Sequence, residues 1–227
     1  MSVHLRRQIE SLKQMIVSFA RDGEAVVAQA IDAVERRDVA LARKIIENDD
    51  VIDRREVDIE EECLHTLACY QPVAADLRYV IVVLKMNNDL ERMADLASSL
   101  AEQAIFLADY PPVELASYLD GMADHVQMML RRSLDALLHV DIQTAEEVCA
   151  DDDRVDHIHV RMYELVETAM RRDPERIPQL IRMVSISRYL ERIADLATNI
   201  AEDVIYLARG EISRHAAAQQ AARKEPV

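Results

Sequence analysis

Apolar residues recur every three or four positions along most of the chain, and charged residues fill the positions between them. This spacing gives each segment one apolar stripe and therefore predicts amphipathic helices. Prolines at Pro72, at Pro111 and Pro112, and at Pro174 fall between the periodic stretches, where a missing backbone N–H ends a helix. The six predicted helical segments are residues 4–35, 38–69, 74–109, 113–139, 142–171 and 176–210.

The chain contains the same pattern twice. Residues 90–108 return as residues 190–208, and 12 of these 19 aligned positions are identical. A weaker repeat relates residues 49–53 to residues 152–156 at an offset of 103, and the helix-capping candidates Asp38 and Asp141 share that offset. A tandem duplication with three helices per copy predicts an all-α fold of two three-helix bundles with six long antiparallel helices. We place the bundles at residues 1–110 and 111–212, and we expect residues 213–227 to form a frayed or disordered tail.

Composition narrows the classes of function. With only three glycines, the sequence can form neither a P-loop nor a dinucleotide-binding fingerprint. A net charge of −15 disfavours direct binding to nucleic acid. Neither an apolar signal core nor an apolar run of membrane-spanning length occurs, so we expect a cytoplasmic protein with only indirect membrane contact. The cysteines match no zinc or redox spacing and are predicted to be helix-packing thiols: Cys63, Cys69 and Cys149.

Acidic residues are paired one helical turn apart in four places, and each like-charged pair destabilises a helix by about 0.2–0.5 kcal/mol. The pairs are Asp49 with Asp53, Glu91 with Asp95, Asp152 with Asp156, and Glu191 with Asp195. Antiparallel hairpins that turn near Pro72 and near Pro174 place the two pairs of each half at equal height. The sequence therefore predicts one cluster of four carboxylates in each half.

Clustered carboxylates repel one another unless a cation joins them. An all-oxygen ligand set favours hard ions, so we predict that these eight residues bind iron, manganese or magnesium. The alternative for any single pair is a solvated acidic face, and Arg188 could instead pair with Glu191. His157 and His159 could add nitrogen ligands or be ordinary surface histidines, whereas the single Glu62-x-x-His65 element does not make a di-iron enzyme, which needs two.

At Gln71–Arg78 and at the two Leu-Glu-Arg-x-Ala-Asp blocks, the chain resembles the PhoU family, accessory regulators of high-affinity phosphate uptake. The resemblance implies two three-helix bundles, frequent homodimers and surface clusters of iron or other metals on the carboxylates named above. It also implies a negative regulator of the phosphate-starvation response. The implied partners are the ATPase subunit of the phosphate transporter and a membrane sensor histidine kinase. One departure is residues 170–174, which lack the Gln-Pro turn of the first half.

We expect a protein that is not an enzyme, in which metal sites stabilise a docking surface. The alternatives are a metal-dependent hydrolase or oxidase, which would need an open coordination position and a substrate cleft, and a metal-buffering protein, which would hold many labile ions.

Overall fold

A computed structural model describes residues 3–113 and 116–210 and contains only helices within those two ranges. The predicted all-α fold is confirmed. The helices are α1 (Val3–Arg36), α2 (Val39–Glu47), α3 (Asp49–Tyr70), α4 (Ala74–Ala108), α5 (Ala116–His139), α6 (Ile142–Arg172) and α7 (Ile177–Arg209), with a 3₁₀ turn at Pro174–Arg176 before α7. The tail predicted for residues 213–227 lies outside the described residues.

The helix starts follow the capping chemistry read from the sequence. The Asp38 carboxylate accepts hydrogen bonds from the backbone N–H groups of residues 40 and 41, and Asp141 does the same for residues 143 and 144. The second predicted segment differs from its counterpart in the other half because it breaks at Asn48. The Asn48 N–H donates to carbonyls at the end of α2, and its carbonyl accepts the first bond of α3. The Asn48 side chain makes no capping hydrogen bond, so its backbone N–H and carbonyl form the junction between the two helices.

Two three-helix bundles share one apolar core. In the first bundle α4 packs against α1 and against the α2–α3 segment, and in the second α7 packs against α5 and α6. The helices α4 and α7 also pack against each other across the boundary. Alanines of both repeats are fully buried in this core, including Ala97, Ala101, Ala197 and Ala201, and their small side chains allow neighbouring helices to approach closely.

Helices α4 and α7 run antiparallel. Lys85 Nζ, near the start of α4, lies 3.1 Å from Asp203 Oδ1 near the end of α7. Arg182 Nη1, near the start of α7, donates to Gln103 Oε1 near the end of α4 at 3.3 Å. The repeated blocks in the middle of both helices are therefore neighbours, and an approximate two-fold axis relates the halves. None of the helices in the described ranges combines the length and apolarity needed to cross a bilayer.

Candidate functional site

The first cluster, defined as Asp49, Asp53, Glu91 and Asp95, lies between α3 and α4. Ser98 Oγ on α4 donates to Asp49 Oδ1 on α3 at 3.1 Å, which ties the start of α3 to this face of α4. Burial raises the pKa of Asp49, and the negative charges of Asp95 and Asp53 raise it further. Burial also raises the pKa of Glu91, with added repulsion from Asp95 and Asp53. The structure thus brings all four carboxylates of the first half close enough to repel one another.

The second cluster, defined as Asp152, Asp156, Glu191 and Asp195, occupies the equivalent place between α6 and α7. Burial raises the pKa of Asp152 to about 6, and Asp195 and Asp156 add repulsion. Burial raises the pKa of Asp195 to about 6 as well, with repulsion from Glu191 next. The Thr198 hydroxyl on α7 faces Asp152 on α6, as Ser98 faces Asp49 in the first half, and its hydrogen bond lowers the Asp152 pKa against the burial that raises it. The second cluster is therefore the more strongly desolvated of the two.

The donor chemistry of both clusters fits a hard cation. All eight side chains offer carboxylate oxygens, and a bound cation would offset the repulsion that raises their pKa values. Within residues 3–113 and 116–210, however, no three acidic, histidine or cysteine side chains are placed so that they could hold a metal ion together. A metal ion would therefore require rotation of the Asp and Glu side chains into a shared coordination sphere.

The histidines considered as extra ligands have other contacts. His157 Nδ1 lies against the backbone carbonyl of Asp153, and His159 Nδ1 lies 3.0 Å from Ser187 Oγ. Burial lowers the pKa of His159, so its ring is neutral at pH 7. His65 packs its ring edge to face against Tyr70 with the ring centroids 5.9 Å apart. The contacts of His157 and His159 involve Nδ1 only, and a metal-ligating imidazole commonly has such a contact while Nε2 binds the ion, so nitrogen ligation by these residues stays a prediction.

A cleft that we call the central cleft opens where α4, α6 and α7 meet, beside the second cluster. Its volume is about 640 Å³. From the first half it is lined by Arg92 and Asp95, and from the second half by residues that include Arg192, Asp195 and Asp152. The two clusters thus contribute to one concave surface. Sequence reasoning missed this cleft, although the two arginines stand inside the duplicated Leu-Glu-Arg blocks and could have been singled out by that duplication.

The cysteines are free thiols. Cys63 is fully buried, and burial raises its pKa to about 12. Cys149 lines the central cleft and is half-buried, and its pKa is likewise raised to about 12 by burial. Both match the prediction of helix-packing thiols. Cys69 corrects that prediction, because it lies on the exposed face near the end of α3.

Comparison with known proteins covers both halves of the chain. A family profile described as PhoU domain matches residues 16–104 and again residues 119–204. The phosphate-specific transport system accessory protein PhoU homolog of Aquifex aeolicus is 36% identical over 211 residues, which span 93% of this chain and 96% of that protein.

Solved structures agree with the sequence matches. The crystal structure of PhoU from Pseudomonas aeruginosa superposes with a TM-score of 0.87 at 35% identity and covers 91% of this chain and 99% of that one. The phosphate transport system regulatory protein PhoU from Streptococcus pneumoniae superposes with a TM-score of 0.84 at 27% identity, covering 92% of this chain and 98% of that one. These relatives are named as accessory and regulatory proteins, in agreement with the expectation that the chain is not an enzyme.

Proposed function

Because the chain belongs to the PhoU family, we propose that it is an accessory regulator of phosphate uptake that damps the phosphate-starvation response when phosphate is plentiful. The observation that supports this proposal best is the match of the PhoU domain to both halves, residues 16–104 and 119–204. The accessory and regulatory roles named for the relatives extend to this chain through nearly full-length similarity.

The proposed partners are the ATPase subunit of the phosphate transporter and the membrane sensor histidine kinase. An acidic protein with a net charge of −15 is repelled by the anionic cytoplasmic leaflet, so it would reach the membrane through these proteins and not through lipid. The cytoplasm is the compartment in which such contacts would form.

Exposed apolar residues support a docking role. Val57 on α3 is 47% exposed and Val160 on α6 is 62% exposed, and the two stand at equivalent positions of the repeats. Each valine follows an acidic residue of its cluster, Asp53 or Asp156, by one helical turn. A partner or a second copy of this chain that covers either valine would also contact the adjacent cluster. This arrangement fits both partner docking and the homodimer that the family resemblance implies.

We further propose that both clusters hold metal ions, with iron, manganese and magnesium as the candidates. In this role the ions would neutralise the repelling carboxylates and fix α3 against α4 and α6 against α7. Metal occupancy would then determine the shape of the surface next to Val57 and Val160, which connects the chemistry of the clusters to partner binding.

Reporter output from phosphate-starvation promoters tests this function. In phosphate-rich medium, a deletion strain should express the reporter, and a plasmid with the wild-type gene should restore repression. A variant with Glu91→Gln, Asp95→Asn, Glu191→Gln and Asp195→Asn should fail to restore it. The control, Glu10→Gln with Asp124→Asn, removes exposed carboxylates of α1 and α5, outside both clusters and away from Val57 and Val160, and should restore repression.

Co-purification provides the second readout. A tagged wild-type chain should retain the transporter ATPase subunit and the sensor kinase from solubilised membranes, and the cluster variant should retain less of each. Reporter output that does not respond to the deletion, together with no transporter or kinase partner, would reject the regulatory proposal.

A further inference from the structure

We propose that the C-terminal segment, defined as residues 211–227, binds across the tip of the first helical hairpin and covers part of the docking surface of the first half. The first hairpin tip is defined as residues 58–78, which comprise the end of α3 and the start of α4. The consequence for partners rests on the docking role proposed above for exposed apolar residues. The two halves would then present unequal surfaces to those partners.

The C-terminal segment begins beside this tip. Gly210 ends α7, and a Cβ placed on it would lie 3.4 Å from Cζ of Arg78 on α4. Packed helices lie 8–10 Å apart, so the path from α7 across α4 to α3 is about 20 Å long. The sequence continues for 17 residues beyond Gly210. Since an extended chain spans about 3.3 Å per residue, half of the segment is long enough to reach α3.

The first hairpin tip exposes three large apolar side chains, which are Val73 at 73%, Leu64 at 53% and Leu77 at 39%. Leu64 follows Val57 by seven residues on α3, so both lie on one face of that helix about 10 Å apart. A segment that runs from Gly210 toward Leu64 can cover these side chains with Ile212 and its five alanines. The covered area would then extend toward Val57.

The same part of α3 carries a surplus of negative charge. Four of the five residues 58–62 are acidic: Asp58, Glu60, Glu61 and Glu62. In the described ranges, 3–113 and 116–210, none of these four forms an ion pair. Glu60 and Glu61 are exposed and precede Leu64 by one helical turn, so their carboxylates border the apolar side chains. The equivalent residues of α6, 161–165, include one acidic residue and one arginine. The first hairpin is therefore the more acidic of the two and attracts a basic segment.

The C-terminal segment has the matching charge. It contains three basic residues, Arg214, Arg223 and Lys224, and two acidic ones, Glu211 and Glu225, in a chain whose net charge is −15. Its basic residues are attracted to the unpaired carboxylates of the tip. Covalent attachment lets even a weak contact form, because a short linker gives an effective concentration in the millimolar range. A contact with a Kd of about 1 mM for the separate peptide would form in about half of the molecules.

Carbodiimide coupling of the full chain, followed by mass spectrometry of its peptides, tests the contact. The reagent joins a lysine amine to a carboxylate that it touches, with loss of water, and Lys224 is the only lysine of the C-terminal segment. Lys224 should couple to Glu60 and Glu61. Asp135, an exposed carboxylate near the end of α5, should couple about five-fold less. High salt should reduce the coupling, because it screens the attraction between exposed charges.

A pair of matched variants tests the apolar part of the contact. Leu64→Ser with Leu77→Ser keeps every carboxylate and should lower the coupling of Lys224 to the tip about five-fold. The control, Ile177→Ser with Ile181→Ser, replaces exposed residues of the second hairpin and should leave the coupling unchanged. All four side chains are exposed, so the helicity of both variants should equal that of the wild type.

Three results would overturn the contact. They are equal coupling of Lys224 to Asp135 and to Glu60, coupling mainly to a second copy of the chain, and wild-type coupling in the Leu64→Ser and Leu77→Ser variant. Each would show that the C-terminal segment has no preference for the first hairpin tip.

Co-purification tests the consequence for partners separately. The full chain with Arg214→Gln, Arg223→Gln and Lys224→Gln should uncover the tip and retain about two-fold more of the transporter ATPase subunit or the sensor kinase than the wild type. Wild-type retention together with the expected coupling would refute the covering role. Failure of every variant and of the wild type to retain a partner would reject the proposed function, and the coupling pattern would still decide whether the segment binds the tip.

Discussion

The replacement Asp152→Asn should stabilise the metal-free protein at neutral pH. Asp152 is partly buried in the second cluster, where Asp195 and Asp156 repel its carboxylate and the Thr198 hydroxyl offsets part of that repulsion. Asparagine has nearly the same shape without the charge, and its amide can donate to neighbouring carboxylates such as Asp195. The substitution therefore removes a desolvated, repelled charge and leaves the packing in place.

The size of the effect follows from the pKa of Asp152, which burial raises from 3.8 to about 6. For a fully buried group, such a difference between the folded and unfolded states corresponds to about 3 kcal/mol above pH 6. Because the carboxylate is partly exposed to solvent, screening reduces the expected gain to about 1 kcal/mol. In a chain of this size that gain raises the Tm by about 2–4 °C.

The sign of the pH dependence is fixed by the direction of the pKa change. The folded state binds the proton more tightly than the unfolded state, so the destabilisation by Asp152 develops as pH rises from about 4 to about 6. The gain from Asp152→Asn should be complete at pH 7.5 and vanish near pH 4. Urea unfolding of the metal-free wild type and variant, monitored by circular dichroism at both pH values, measures this gain in the free energy of unfolding.

The adjacent residue, Asp151, provides a control whose replacement should lower the stability instead of raising it. Asp151 pairs with Arg132 at 3.2 Å, so Asp151→Asn should cost about 0.2–1 kcal/mol at pH 7.5. If Asp152→Asn destabilised the metal-free protein at pH 7.5, or if its gain persisted at pH 4, the account of repelling carboxylates in the second cluster would be refuted.

Three further predictions concern the helical framework. Gly121→Ala, whose added Cβ meets nothing within 4 Å, should raise stability by up to about 1 kcal/mol in thermal unfolding; Gly23→Ala should gain less, because its Cβ would lie 3.3 Å from a leucine methyl group of α4. Asp38→Ala removes the N-cap of α2 and should cost about 1 kcal/mol in urea unfolding, while Asp38→Asn should cost little. Lys85→Met removes a cation that lies 3.1 Å from the buried Asp203 carboxylate. The free energy of unfolding should fall by about 2 kcal/mol in urea unfolding. The added replacement Asp203→Asn should reduce this loss in the double variant.

The helical fold could be predicted from the sequence because its signals are local and repeated. Apolar spacing, prolines between segments and the capping residues Asp38 and Asp141 all act within a few residues of one another. Hairpin geometry also predicted which residues of neighbouring helices meet, since an antiparallel hairpin brings Asp49 near Asp95 and Asp156 near Glu191. The break at Asn48 was not predicted, because a single asparagine inside a periodic stretch is compatible with a continuous helix.

The central cleft could not be predicted, because it depends on how the two bundles pack. Nothing in the spacing of either repeat states that α4 and α7 are antiparallel neighbours or that Arg92 shares a wall with Arg192. The salt bridge between Lys85 and Asp203 could not be predicted either, because the two residues are 118 positions apart. Contacts between the halves depend on the shape and charge of side chains that are far apart in the sequence. Hydrophobic periodicity, which is a local pattern, does not predict such contacts.

Metal content of the purified protein is the measurement that tests the account most directly. Elemental analysis by mass spectrometry should find iron, manganese or magnesium in the wild type at a constant ratio per chain. The variant with Glu91→Gln, Asp95→Asn, Glu191→Gln and Asp195→Asn should lose that metal while its helicity is unchanged, and the control Glu10→Gln with Asp124→Asn should keep it. An unchanged metal content in the cluster variant would contradict the account and would leave the carboxylates as a solvated acidic face.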